Sequence, residues 1–216
     1  MFGMSKIPLF PLGLVLLPNM AVPLHIFEER YKEMVNRCLK QEEVFGIVLL
    51  NGKKMASVGC TAKVVNVHKK YPDGKMDIIV HGQDRFEINE VFEDKSYMEA
   101  RVTVFEDAYE PDAQQVGALV EELRALYLKL LEVNDLAMKS ESIENIDMQT
   151  LSFLAGFHDV MNLQEKQALL ESRYLEDRLK KGIAALKKMA LMVKKNKALD
   201  DLVLRNGHIP VKLQKG

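Results

Sequence analysis

The sequence predicts an α+β protein whose strands lie in the first half and whose helices lie in the second. In the first half, apolar residues come in short runs bounded by Pro and Gly, which is typical of strands. In the second half they recur every three or four residues, which is typical of amphipathic helices. The change falls near Pro111, and the 48% of hydrophobic residues among 216 positions is enough to fill a core.

The first 23 residues predict short, interrupted strands. Four of the seven prolines lie in this stretch, and they bound the apolar runs 7–10 and 14–17. Proline cannot donate to a β-ladder, so we expect these runs at sheet edges or as broken strands. Apolar residues then recur on one helical face over 28–39. The first half therefore includes one inserted helix, which should cover one side of the sheet.

Further strands and a hairpin are predicted up to residue 105. The strand segments are 44–50, 61–67, 76–80, 86–91 and 98–105. Between two of them, Tyr71-Pro72-Asp73-Gly74 predicts a tight turn, because proline presets its first corner and glycine permits its exit. The spacing of the strands suits either a small irregular barrel or a sandwich.

The second half predicts a helical bundle. The segment after Pro111 suits the first turn of a helix, and an apolar repeat extends that helix to Leu131. Asp147 begins a second helix, and Asn162 with Glu165 forms a capping pair that begins a third. A long amphipathic helix over 175–193 closes the bundle.

The chain therefore divides into three predicted units. They are a β domain at 1–110, a helical bundle at 111–197 and a C-terminal tail at 198–216. Ile209, Val211 and Leu213 alternate in the tail, which leaves an added strand and a frayed end as alternatives.

Charge and hydropathy exclude several classes of partner. Lys and Arg number 30 against 31 Asp and Glu, so no global field draws the chain to nucleic acid or to a membrane. No long apolar run and no secretory signal is present, so we expect a cytoplasmic protein without a membrane partner. The segment 87–122 is rich in acids and 173–197 is rich in bases, and such a basic row predicts the solvated face of a helix.

The sequence predicts no catalytic residue, no cofactor and no metal site. It lacks the glycine spacing of a phosphate-binding loop, the GxSxG motif of hydrolases and the HExxH motif of zinc proteases. Its five histidines stand singly. Cys38 and Cys60 form no CxxC pair, so we expect two reduced, buried thiols. An enzyme with an unrecognised site stays a minor alternative.

Recognition of another molecule is the remaining function. Apolar groups in loops, at Pro18-Asn19-Met20 and at the hairpin tip, are placed where binding sites are commonly found. Twelve methionines could add a pliable apolar surface. The candidate peptide-binding residues are Pro18, Met20, Met55 and Tyr71.

Several motifs occur in the order that one known family shows. They are Ile7-Pro8-Leu9-Phe10-Pro11-Leu12, Leu17-Pro18-Asn19-Met20, Pro23-Leu24-His25-Ile26-Phe27-Glu28-Glu29-Arg30-Tyr31, Val58-Gly59-Cys60-Thr61-Ala62, Gly82-Gln83-Asp84-Arg85-Phe86 and Leu163-Gln164-Glu165-Lys166-Gln167-Ala168-Leu169-Leu170-Glu171. Together they resemble the N-terminal substrate-binding domain of ATP-dependent Lon proteases, and most closely its stand-alone bacterial members. The resemblance runs from about Ile7 to Lys195.

The resemblance implies a fold and a role. The fold is a PUA-like small β barrel joined to a helical bundle, and the role is to select substrates and support homo-oligomers. The ATPase and Ser-Lys peptidase modules that follow in this family are expected to be missing, with their Walker motifs. Among the motif residues, Arg85 is expected to form a structural ion pair with the first helix, which carries Glu28, Arg30 and Tyr31.

Two hypotheses for function follow. The first is a non-catalytic module that binds unfolded or exposed apolar segments of proteins, in the groove between barrel and bundle, as an adaptor or chaperone-like binder. The alternative is an RNA-binding PUA-like protein, which rests on analogy at the level of the fold. Aromatic residues make up 7% of the chain and Trp is absent, so stacking platforms for nucleic acid are few and a nucleic-acid partner is not favoured.

Overall fold

The computed structural model describes residues 5–108, 113–133, 143 and 145–206, which include seven strands. The strands and the inserted helix are β1 Ser5–Leu12, β2 Ala21–Ile26, α1 Glu29–Gln41, β3 Phe45–Asn51, β4 Lys54–Met55, β5 Val58–Lys70, β6 Met76–Phe92 and β7 Glu99–Val104. The helices that follow are α2 Ala113–Val133, α3 Met148–Leu154, a short 3-10 helix Ala155–Phe157, α4 Leu163–Leu170 and α5 Leu175–Asn206. The predicted α+β organisation is confirmed.

The strands form one mixed sheet in the order β1-β7-β6-β5-β3-β4, with β2 paired to β6. Residues 5–8 of β1 pair antiparallel with β7, and residues 9–12 pair parallel with β3. Each half of β1 therefore pairs with one neighbouring strand, and its other edge needs no N–H donor. This explains how Pro8 and Pro11, which have no N–H, fit within the strand. The small β barrel that was expected is therefore corrected: the strands form one mixed sheet, in which β1 pairs with both β7 and β3, and this sheet does not close into a true barrel.

Two predictions about the strands were wrong in detail. The run 14–17 is not a strand; it is an irregular segment whose Val15, Leu16 and Leu17 are buried. The separate strands expected at 76–80 and 86–91 are one continuous strand, β6. The hairpin between β5 and β6 is confirmed, with Gly74 at a φ of 80°, where glycine is favoured.

A β-bulge explains the Gly82 to Phe86 motif. Two residues of β6, Gln83 and Asp84, lie opposite the single residue Thr61 of β5. The Thr61 hydroxyl accepts from the Asp84 N–H at 3.0 Å and donates to the Asp84 carbonyl at 3.2 Å, so both backbone groups are satisfied. A bulge bends its strand and re-aims the side chains that follow. Here it precedes Arg85, which reaches the helices.

The two faces of the sheet bury different clusters, because side chains alternate along a strand. Phe10 joins a large core that includes α1 and the helical half, whereas Leu9 joins a smaller cluster centred on Phe86. A Cβ at Gly46 would lie 2.6 Å from Phe86 Cζ, and one at Gly59 would lie 2.5 Å from it. The Phe86 ring therefore fills space that only glycines leave open.

The predicted helix starts are confirmed by their caps. The Asp147 carboxylate accepts from the Thr150 N–H at 2.9 Å. Asn162 and Glu165 form a reciprocal capping box, with bonds of 2.9 and 2.7 Å. The predicted start at Pro111 lies outside the described residues.

The long C-terminal helix is a single element, α5. It packs against α2 and α3 and continues to Asn206, past the expected end of the bundle at 197. Among its side chains up to residue 195, the buried apolar ones are Leu175, Leu179, Ile183, Ala185 and Leu186. The strand considered for Ile209, Val211 and Leu213 lies outside the part of the chain that the structure describes.

The uneven charge along the sequence is partly balanced inside the molecule. Lys187 of α5 lies 2.8 Å from Glu122 of α2, and Arg173 lies 3.7 Å from Glu87 of β6. The acidic segment 87–122 and the basic segment 173–197 thus contact each other. Part of the basic segment 173–197 is therefore engaged in these pairs.

Leu17 fills the junction between the sheet and the helices. Its side chain is fully buried, next to Gly156 of the 3-10 helix, and its backbone carbonyl lies against Gly82 of β6. A Cβ on either glycine would clash with Leu17. The apolar run that the sequence suggested as a strand therefore joins the two halves of the chain.

A shared carboxylate also holds the junction. Asp107, just after β7, accepts two hydrogen bonds of 2.7 Å from the fully buried Arg178 of α5, and one from Arg85 of β6. Arg85 also donates to the carbonyls of Leu170 and Ser172, at 2.8 and 2.7 Å. Burial lowers the pKa of Arg85 to about 10 while Asp107 opposes the shift, so the guanidinium stays charged at neutral pH.

The structural ion pair expected for Arg85 therefore exists, but its predicted partner was wrong. The first helix does not supply it. Glu28, at the start of that helix, instead lies 2.7 Å from Arg30. Arg85 pairs instead with Asp107, just after β7, and it also donates to the carbonyls of Leu170 and Ser172 in the helical half.

We expect the variant Asp107→Asn to lose about 3 kcal/mol of unfolding free energy, because it leaves two buried guanidinium groups without a counter-charge. Urea denaturation measures this loss. The neighbouring Glu106→Gln is the control, since the Glu106 side chain is exposed, and it should change stability by less than about 0.5 kcal/mol. A loss below about 1 kcal/mol for Asp107→Asn would contradict this account of the junction.

Three cations surround a second buried carboxylate, Glu99 of β7. Lys6 lies 2.9 Å from it, and Arg37 and Lys95 each lie 2.8 Å from it. The Glu99 side chain is only 5% exposed. Burial acts to raise its pKa, but the bonds from Lys95, Lys6 and Arg37 outweigh burial and bring the pKa of Glu99 from 4.5 to about 2.

This lowered pKa predicts a pH dependence of stability. A carboxylate whose pKa is lower in the folded chain stabilises the fold above its unfolded pKa of 4.5, and loses that contribution as the pH falls towards 2. The difference in unfolding free energy between wild type and Glu99→Gln should be largest near neutral pH and shrink below pH 4.5. Urea denaturation at several pH values measures it, and a constant difference would contradict the assignment.

Candidate functional site

The structure distributes the four candidate residues over three places. Pro18 and Met20 lie at the junction, Met55 lies on β4 and Tyr71 lies at the tip of the β5–β6 hairpin. Met20 and Tyr71 flank opposite ends of β2, whose six residues span roughly 17 Å at about 3.4 Å per step. The four residues do not form one site.

The Pro18-Asn19-Met20 loop makes structural contacts. Asn19 adopts a φ of 62° and donates from its side chain to the Thr150 hydroxyl at 2.7 Å. Its N–H donates to the Gly82 carbonyl at 2.9 Å, and Met20 packs against the large core. The loop therefore joins β6 to α3, and the part of the junction around it is filled rather than open as a groove.

Met55 lies on the short strand β4, opposite Leu50 of β3. Its half-buried side chain packs against the smaller cluster on the sheet. A role of Met55 in binding stays a prediction.

Tyr71 belongs to a group of side chains that project from β2, from the residue that follows it, from the hairpin tip and from the start of β6. We call this group the hairpin surface. Its members are Pro23, His25, Phe27, Tyr71, Asp77 and Ile79. Pro23 lies opposite Ile79, and His25 lies opposite Asp77, so these pairs project from the same face of the sheet. An open depression of about 480 Å³ lies between them.

Aromatic rings and one carboxylate organise the hairpin surface. The His25 ring stacks on Phe27, with centroids 5.9 Å apart, and meets Tyr71 edge-on at 6.1 Å. Asp77 lies 2.6 Å from a His25 ring nitrogen and accepts from the Tyr71 hydroxyl at 2.7 Å. The bonds from His25 and Tyr71 lower the pKa of Asp77, and the same carboxylate raises the pKa of Tyr71. The rings are thus held in place before any ligand arrives.

Phe27 is the functional candidate that the sequence analysis missed. Its side chain is 57% exposed, so much of a large apolar ring stays available to a partner. It precedes the N-cap Glu28, where an apolar residue commonly packs on the fourth residue of the helix. That fourth residue is Lys32, so the sequence already contained the signal that Phe27 lacks an apolar partner.

A second apolar depression, of about 270 Å³, lies between α4 and α5. Its lining combines the apolar Val160, Met161, Ala168, Ala184 and Ala185 with the charged Glu165, Lys181 and Lys188. It presents aliphatic groups and no aromatic ring, whereas the hairpin surface presents the rings of His25, Phe27 and Tyr71.

The two cysteines lie in the core, and the described segments hold no cluster of metal-ligating side chains. Cys38 and Cys60 are buried, free thiols, and burial raises the pKa of the Cys38 thiol to about 11 and that of Cys60 further. Among the residues that the structure describes, no three His, Cys, Asp or Glu side chains converge as a metal site requires. No described helix is long and apolar enough to cross a bilayer.

Comparison with known proteins decides the family. The model of the ATP-dependent protease La (LON) substrate-binding domain matches residues 6–188. The chain belongs to this family. The resemblance to the Lon N-terminal domain that the motifs suggested is confirmed.

The curated relatives are longer proteins of the Lon family. The Lon protease of Cytophaga hutchinsonii is 27% identical over 181 residues, which cover 77% of this chain and 22% of that protein. The Lon protease of Anaeromyxobacter dehalogenans is 25% identical over 211 residues, which cover 92% of this chain and 25% of that protein. The chain thus spans about a quarter of the length of these Lon proteases.

Two solved structures share the fold. The N-terminal domain of a Mycobacterium avium complex Lon protease superimposes with a TM-score of 0.72 at 19% identity, over 85% of this chain and 98% of that one. A Lon N-terminal domain protein from Xanthomonas campestris gives 0.63 at 23% identity, over 84% and 98%. At these identities the likeness establishes the Lon N-terminal domain fold alone.

Proposed function

We propose that this chain is a non-catalytic substrate-recognition module that binds unfolded or exposed apolar segments of other proteins. One observation carries the proposal: residues 6–188 match the family model of a domain that is described by its substrate binding. The stretch aligned to Lon proteases covers about a quarter of those proteins, so we do not assign their other activities to this chain.

The hairpin surface is the proposed contact site. Burying an aromatic side chain such as Phe27 against a partner contributes about 1.5–3 kcal/mol before the entropy of ordering that partner is subtracted. One or two such contacts give weak, readily reversible binding, which suits a module that samples many segments. The bonds of Asp77 to His25 and Tyr71 hold the aromatic rings ready, which reduces the ordering cost on this side.

The finer parts of the proposal rest on the family resemblance. They are a PUA-like arrangement of the strands, an adaptor or chaperone-like role in the cytoplasm, and self-association of the chain into homo-oligomers. The binding of apolar segments is the part that the hairpin surface supports directly, because Phe27 and Pro23 are exposed there.

The RNA-binding alternative has no comparable support. Some basic residues of α5 that could contact phosphates lie in ion pairs, such as Lys187 with Glu122 at 2.8 Å. Lys180 is likewise paired with Glu176. Affinity for RNA would fall steeply as the salt concentration rises. A steep salt dependence is therefore the property that separates this alternative from apolar binding.

The proposal predicts that the hairpin surface binds an unfolded protein. We expect reduced, carboxymethylated α-lactalbumin to bind the purified chain with a dissociation constant in the micromolar range. The variant Phe27→Ser should weaken binding roughly tenfold, because it removes the largest exposed apolar group of the surface. Fluorescence anisotropy with labelled α-lactalbumin measures both constants.

The control variant is Leu191→Ser, since Leu191 is 69% exposed on α5, outside the hairpin surface. It should bind like wild type if the position of the apolar group matters, and both variants should keep the wild-type melting temperature. Equal weakening by the two variants would show that exposed apolar area in general, and not this surface, drives binding. No binding by wild type would refute the proposed function.

A further inference from the structure

The strand β2 has one edge that no other strand covers. It pairs through one side with β6 in a continuous register from Ala21 opposite His81 to Ile26 opposite Met76. No strand among the described residues pairs with its other side. An uncovered edge presents backbone N–H and C=O groups that can pair with another extended chain.

The hydrogen-bond pattern shows which groups face outwards. The Gly82 N–H donates to the Met20 carbonyl at 2.9 Å, and the bonded pairs of an antiparallel ladder alternate. Residues 22, 24 and 26 therefore direct their backbone groups towards β6. Ala21, Pro23 and His25 direct theirs outwards, and Pro23 occupies a position where no ladder bond needs its missing N–H.

The uncovered edge thus presents five backbone groups in a row. They are the N–H and C=O of Ala21, the C=O of Pro23, and the N–H and C=O of His25. None of these five groups makes a hydrogen bond within the described part of the chain. An extended polypeptide has donors and acceptors at the matching spacing, whatever its side chains are.

Building on the proposed function, we propose that β2 captures an unfolded segment by adding it as a further strand along this edge. The side chains of Pro23 and His25 belong to the hairpin surface, so alternate side chains of the added strand lie beside its depression. Backbone bonds then supply affinity that is independent of sequence, and the apolar surface favours segments with exposed apolar residues.

Pro23 determines which polypeptide can pair with the uncovered edge of β2. If β2 of a second copy paired antiparallel with this edge in its longest symmetric register, the two Pro23 residues would face each other. Both of their carbonyls would then lack a donor. A foreign segment can place an N–H opposite the Pro23 carbonyl, and then only the carbonyl of the residue that faces Pro23 is left without a donor. The edge therefore favours a different polypeptide over a second copy of the chain.

Amide hydrogen exchange tests this strand addition in the intact chain. The probe is a labelled decapeptide of alternating valine and threonine with a glutamate at each end. On adding it, exchange at the Ala21 and His25 amides should slow by at least about tenfold, because their N–H groups gain acceptors. If the probe binds but these two amides exchange at their original rates, the strand addition is refuted and the proposed function stands.

A matched peptide and a matched variant give a second readout. The same peptide N-methylated at every residue keeps its side chains but has no N–H, and it should bind at least about tenfold more weakly. The variant Ala21→Pro removes one outward donor and should weaken binding of the unmethylated peptide roughly fivefold, provided its melting temperature matches wild type. Equal affinity for the two peptides refutes strand addition. Absence of binding by either peptide and by α-lactalbumin refutes the proposed function as well.

Discussion

The structure depends on one carboxylate shared by two guanidinium groups. Asp107 joins Arg85 of the sheet to Arg178 of the long helix, and Arg178 is completely excluded from solvent. Charged groups of this kind are stable in an interior only when their bonds are complete, so the geometry of the junction is strongly constrained. Leu17, between Gly82 and Gly156, adds a steric constraint at the same place. The helices therefore lie in a fixed position against the sheet.

This arrangement explains why the candidate site lies away from the junction. The sequence analysis expected binding in a groove between the two halves, and the region around Leu17 is filled by buried side chains. The hairpin projects from the other end of the sheet, where β2 covers β6 but is itself uncovered. The hairpin surface lies on paired strands, which hold it rigid, and it adjoins the exposed backbone of β2. A packed junction does not combine these two features.

The order of strands and helices could be predicted from the sequence because local signals specify it. Pro72 and Gly74 determine the hairpin, and Asp147 and Asn162 determine two helix starts, each through contacts within a few residues. The partner of Arg85 could not be predicted in this way. It depends on a two-residue bulge in β6 and on a carboxylate 22 positions later in the chain. Such a contact is decided by tertiary packing, which periodicity does not report.

The candidate site shows the same division between local and tertiary information. Tyr71 was found because turn residues expose what they carry, whereas Met20 was selected by the same reasoning and packs on the core. Phe27 was overlooked because it sits inside an apolar run, and only the polar Lys32 at the fourth helical position signals its exposure. The uncovered edge of β2 has no signature in the sequence beyond Pro23, since it depends on which strands pair.

The most direct test of the central claim is a map of the bound surface by NMR. Isotope-labelled chain is titrated with reduced, carboxymethylated α-lactalbumin while the backbone amide shifts are followed. If the account is right, the shifts that change lie within residues 21–27 and 71–79, and those at the α4–α5 depression stay in place. Changes centred on α4 and α5, with the β2 and hairpin amides unaffected, would contradict it.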